Sequence, residues 1–118
     1  MPVHFVLARY LPGFEEYGDL YEAIKTGKKT SEYRDATDYW AKRLLSKIGL
    51  DNYYRTIKYP LGSNVTITYF GECLKHTEAT FRVGYTRGPT LHATIKDVLW
   101  KPREEQFEVR IENVRETP

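Results

Sequence analysis

Apolar residues along this chain keep two different rhythms. From Phe14 to Thr26 they recur at steps of three and four (Phe14, Tyr17, Leu20, Tyr21, Ile24), the spacing of one helix face. Glu15 and Glu16 stand at its start, where the helix dipole favours acids, and Gly27 is a natural C-cap. Gly18 inside the stripe costs some helical stability. A second stripe runs from Thr37 to Ile48, with Trp40, Leu44 and Ile48 four residues apart and Ala41 and Leu45 beside them. The stretch Asp35-Ala36-Thr37-Asp38 offers N-cap oxygens, and Gly49 is expected to end the helix.

Elsewhere the rhythm is two. Val3 to Tyr10 reads as a strand closed by Leu11-Pro12-Gly13, and Thr30 to Arg34 as a short second one. Val65 to Phe70, Glu78 to Tyr85, Leu91 to Trp100, and the alternating Phe107, Val109 and Ile111 supply four more. Leu50 to Pro60 keeps no clean rhythm; Tyr53 to Tyr59 is compatible with a further strand. The order is strand, helix, strand, helix, then strands. It predicts one α+β domain over residues 1–118: a small curved sheet or β-barrel of five to six strands, with two main helices on one side.

The predicted strand Thr30 to Arg34 departs from this economy. Side chains alternate along a strand, so Thr30, Glu32 and Arg34 share one face. Polar groups on a strand set between two helices are costly to bury unless they bind one another or a ligand. This segment is therefore the first candidate for a site.

Composition changes the picture only in part. Of 118 residues, 29% are charged and 41% hydrophobic, as in a globular protein, and the net charge is only +2. That mild excess hides basic clusters at Lys25, Lys28 and Lys29, and at Lys42, Arg43 and Lys47. Ten tyrosines suit either a surface that stacks on a ligand or a partly polar core. Cys73 is the single cysteine, so no intrachain disulfide is expected, in keeping with a reducing, cytoplasmic location (nuclear in a eukaryote). No apolar run is long enough for a signal peptide or a membrane span, and no membrane partner is expected. Cys73 and His76 have a Cys-x-x-His spacing but no second pair to complete a zinc site, and no phosphate-cradling glycine loop is present. No metal or cofactor is expected.

The segment Tyr21-Glu22-Ala23-Ile24-Lys25-Thr26-Gly27-Lys28-Lys29-Thr30-Ser31-Glu32-Tyr33-Arg34-Asp35 resembles the signature of ASCH domains, in the PUA-like superfamily: a helix, a glycine, then Lys-Thr-x-Glu-x-Arg. Ala36-Thr37-Asp38-Tyr39-Trp40-Ala41-Lys42-Arg43-Leu44 resembles the Tyr-Trp helix of small stand-alone members. Phe81-Arg82-Val83-Gly84-Tyr85 is similar to a strand ending in Asn-Gly-Tyr there. The resemblance covers essentially the whole chain. It implies a small β-barrel with a cleft between barrel and helices, and a link to RNA. Some members look like RNA-binding modules and some are described as ribonucleases. One branch hydrolyses N4-acetylcytidine with a lysine, a threonine and a glutamate. The lysine of that branch aligns with Lys29, whereas Glu32 stands where its threonine would be.

Residue chemistry supplies roles for the motif. Arg34 offers a planar fork for phosphate or carboxylate, and Lys29 a point charge. Glu32 can accept from an exocyclic amine. Tyr39, Trp40 and Tyr85 could form a stacking platform, as in the reading of single-stranded RNA. The candidate ligand-binding residues are Lys28, Lys29, Thr30, Glu32, Arg34, Tyr39, Trp40 and Tyr85, and the expected partner is RNA or a nucleotide or modified nucleoside. The alternative class is a metal-independent hydrolase, a ribonuclease or nucleoside amidohydrolase, with Lys29 and Glu32 as catalytic groups. A purely structural alternative pairs Glu32 and Arg34 with one another or with Asp35 and Arg43, and puts Trp40 in the core beside Leu44 and Ile48.

Overall fold

A hairpin of two long strands is the backbone of the fold. In the computed structural model, which describes residues 2–58, 68–69, 73–84 and 88–118, β5 (Thr90–Lys101) and β6 (Gln106–Thr117) pair antiparallel. The turn between them places Glu105 at φ 52°, in the left-handed region. Around this hairpin lie β1 (Val3–Leu7), β2 (Ser31–Asp35), β3 (Thr68–Tyr69) and β4 (Glu78–Val83). The order across the sheet is β1-β4-β5-β6-β2. The first half of β5 pairs with β4, and the second half, on the same side, with the two residues of β3. The β1–β4 pair is parallel; the others are antiparallel.

Register shifts between His92 and Thr94 and between Ile95 and Asp97 interrupt β5. Such irregularities bend a strand and deepen its twist. The sheet curls into a half-barrel whose two outer strands, β1 and β2, meet through a side chain. Arg34 of β2 donates from Nη2 to the Val6 carbonyl of β1 at 3.3 Å, and its guanidinium lies 5.0 Å from the centre of the Phe5 ring.

The concave side holds the core. Val3, Phe5 and Leu7 are buried while His4 and Val6 face out, the alternation expected of a half-buried strand. Phe5 stacks between Phe81 at 5.1 Å and Trp40 at 5.4 Å. Ile24, Leu44 and Tyr53 complete the core from three helices, α1 (Leu20–Lys25), α2 (Asp38–Leu44) and α3 (Lys47–Lys58), with Leu45 added from the link between the last two.

The strands begin and end within a residue or two of the expected positions, except that β1 stops at Leu7 and β6 runs on to Thr117. The helices differ more. Among the described residues there are three α-helices, against the two main ones expected. The first does not start at Phe14: only a 3-10 turn forms at Glu15–Tyr17, and Gly18 at φ 64° breaks the run. Asp19 then caps α1, its carboxylate accepting from the Tyr21 and Glu22 amides. The second stripe splits because Leu45 turns extended and forms a bridge to Leu74, with Ser46 N–H donating to the Cys73 carbonyl and Lys75 N–H to that of Leu44. Gly49 lies inside α3 instead of ending a helix. A Cβ there would stand 2.6 Å from the Cys73 carbonyl oxygen, so only glycine fits. Ile48 consequently lies 68% exposed, outside the core. Tyr53 to Lys58, whose sequence was compatible with a strand, belongs to α3. The Val65–Phe70 strand lies mostly outside the described residues. No helix among those residues is long and apolar enough to cross a membrane.

Candidate functional site

Two backbone contacts deliver Lys29 to the interior. At the end of α1, Gly27 adopts φ 81°, and Lys29 N–H donates back to the Ala23 carbonyl at 2.9 Å. The chain then enters β2, paired to β6 with Glu32 opposite Val109 and Tyr33 opposite Glu108. Lys29 and Glu32 end up only 5% and 6% exposed.

Their charges are matched on one oxygen. Glu32 Oε1 lies 3.2 Å from Lys29 Nζ and 3.1 Å from Arg34 Nη1, and it accepts the Tyr33 amide at 3.0 Å. Lys29 Nζ also donates to the Ser31 carbonyl at 2.6 Å, and Arg34 Nη1 to that of Tyr33 at 2.8 Å. Glu32 Oε2 has no hydrogen-bond partner among the described residues, although it is buried. An unmet buried acceptor costs about 1–3 kcal/mol, and more when charged. The guanidinium of Arg34 is fixed against Phe5 and, at 5.3 Å, the Trp40 ring.

These groups border a hollow of about 280 Å³. Lys29, Glu32, Tyr33 and Arg34 form one wall; Phe14, Leu20 and Trp40 supply an apolar flank; Leu11, Asp35 and Gln106 complete the border. A larger depression of about 770 Å³ lies elsewhere, bordered by Arg82, Gly88, Pro89, Glu116 and Pro118, all exposed. It contains no buried polar group, and we assign it no role.

Of the sequence-derived candidates, Lys29, Glu32, Arg34 and Trp40 meet at the hollow. Lys28 and Thr30 are exposed and do not line it; Thr30 precedes β2 and does not share the buried face of Glu32. Tyr39 is 55% exposed, and its ring lies 3.2 Å from the guanidinium carbon of Arg43, away from the lining. Tyr85 falls outside the described residues. The pairing of Glu32 with Arg34 is present alongside the hollow, while Arg43 goes to the Tyr39 carbonyl. Trp40 is both core and lining, because it packs on Phe5 with one part and borders the hollow with another. Leu11, Phe14, Leu20, Tyr33, Asp35 and Gln106 were not among the candidates. Phe14 and Leu20 read in sequence as one helical stripe; Gly18 between them was the available sign that Phe14 belongs to a different segment.

Behind the same strand sits a second buried carboxylate. Glu108 accepts from Lys101 at 2.8 Å, from the Ser31 hydroxyl at 2.8 Å and from Arg110 Nε at 3.1 Å. Burial alone would raise its carboxyl, but these three donors outweigh it and hold the group below its ordinary range. Tyr33 lies between the two clusters, with Lys29 Nζ at 5.9 Å and Lys101 Nζ at 5.3 Å from its ring centre. Burial, and next the Glu108 charge, push its phenol up, so the hydroxyl stays protonated at neutral pH.

Comparison with protein-family models, with curated proteins and with solved structures returns no match. The site's own chemistry therefore bears the functional reading. Its two cations already hold protein acceptors, and the rest of its border is an apolar aromatic flank and the Glu32 carboxylate, one oxygen of which is buried and unmet.

Proposed function

We propose that this chain is an RNA- or nucleotide-binding domain of the ASCH, PUA-like kind, whose hollow receives one unpaired base. The observation that carries this reading is the meeting of Lys29, Glu32, Arg34 and Trp40 around a cavity with a buried, unpartnered acceptor. At about 280 Å³ the cavity falls just below the range usual for larger small-molecule ligands, a size suited to a base or nucleoside and not to a length of chain. Trp40 and Phe14 offer ring surface, and base stacking on an aromatic side chain contributes about 1–3 kcal/mol.

The hydrolase reading has less support. No Ser, Thr or Cys is among the described residues lining the hollow, and the Ser31 hydroxyl donates to Glu108 on the other face. The Lys29 amine is engaged with two acceptors, the Ser31 carbonyl and the Glu32 carboxylate.

Fluorescence anisotropy with single-stranded RNA tests the proposal. Arg34→Ala is expected to weaken binding about tenfold, with the fold checked by circular dichroism. Unchanged affinity in a folded variant would count against a binding role for the hollow. Release of product from single-stranded RNA or N4-acetylcytidine, abolished by Lys29→Ala, would favour the hydrolase instead.

A further inference from the structure

Glu32 has two oxygens with unequal fates. Three donors, from Lys29, Arg34 and the Tyr33 amide, gather on Oε1. Oε2 is left without one, in a side chain more than nine-tenths buried that borders the hollow. The neighbouring cations do not redress this. Lys29 is held by Ser31 and Glu32, and Arg34 by Glu32, Tyr33 and Val6. A ligand entering here meets an acceptor in want of a hydrogen, not a pair of free cations in want of an anion.

We infer that Glu32 Oε2 is the specificity-determining acceptor of the hollow and that it selects bases carrying an exocyclic amino group over the same bases without one. The inference rests on the nucleotide-binding reading above and adds the chemical edge that is read. An amino N–H donated to Oε2 satisfies the buried oxygen. A base with only C–H at that position leaves it dry and unpaired, and sites built around one hydrogen bond reject such analogues strongly. The three donors on Oε1 fix the orientation of the carboxylate.

The test compares matched pairs with the full chain, by titration followed in amide NMR spectra. Cytidine 5′-monophosphate is set against pyrimidin-2-one riboside 5′-monophosphate, which lacks only the 4-amino group. Adenosine 5′-monophosphate is set against purine riboside 5′-monophosphate, which lacks only the 6-amino group. The amino member of at least one pair is expected to bind about tenfold tighter or more, and Glu32→Gln to reduce that ratio to about twofold or less. Ratios within about twofold for both pairs in the wild-type chain would overturn the inference while leaving nucleotide binding intact. If no member of either pair binds, the nucleotide-binding reading fails and this inference with it. The wild-type comparison decides the matter even if Glu32→Gln does not fold.

Discussion

Glu32 and Glu108 are buried to the same degree, each 6% exposed, on paired strands and on opposite faces of the sheet. Glu108 has both oxygens occupied, by Lys101 on one and by Ser31 and Arg110 on the other. Glu32 has one oxygen crowded and one empty, beside a cavity. Burial and sequence neighbourhood do not separate a structural carboxylate from a candidate binding one. The count of met and unmet lone pairs does.

The largest effect should come from removing the Glu32 side chain. Glu32→Ala leaves Lys29, which is 5% exposed, with only the Ser31 carbonyl as a protein acceptor, and breaking a buried pair this way costs about 3–5 kcal/mol. A urea-unfolding loss below about 1 kcal/mol would show that Lys29 finds another partner or solvent, and would weaken the account of this site. Glu108→Ala should cost less, about 1–2 kcal/mol. Its partners Lys101 and Arg110 have side chains 25% and 44% exposed and can turn to water. The same variant should leave RNA affinity unchanged within about twofold, since Glu108 does not line the hollow. A large loss of affinity would erase the distinction between the two carboxylates.

The smallest effect is in acid. Glu108 is held below its ordinary value of 4.5 in the folded chain, so the unfolded chain binds the proton more readily. Its contribution is present above that ordinary value and is lost as pH falls from there through the lower folded value. Urea midpoints taken from about pH 6 down to about pH 3 should therefore decline, and decline less steeply in Glu108→Ala. Some slope will remain, because Glu15, next to the Gly13 amide, and Glu116, bonded by the Tyr21 hydroxyl, are also held low. Identical slopes in the two proteins would remove Glu108 as a source of acid sensitivity.

The strands were legible because apolar residues alternate in the sequence of β1, the first half of β5 and the start of β6, although burial runs unbroken over residues 79–81 of β4, 98–100 of β5 and 107–109 of β6. The helix ends were not, because tertiary contacts set them. Nothing local to Leu45 announces its bridge to Leu74, and the tight approach of Gly49 to Cys73 looks in sequence like a helix stop. Lys29, Glu32 and Arg34 could be singled out as ionic residues in an otherwise apolar setting. Their companions Phe14 and Leu20 could not, since an apolar residue lining a cavity and one filling a core leave the same mark in a sequence. Thr30 and Lys28 were adjacent to the right residues but turned outward, a difference of one position in where β2 begins.

Arg34 ties the first strand of the sheet to the last while also facing the cavity. The Arg34 guanidinium thus serves both the closure of the half-barrel and the border of its recess. Divergence at this position is consequently constrained twice, by architecture and by occupancy. A chain that traded its ligand for another would still have to keep this clasp.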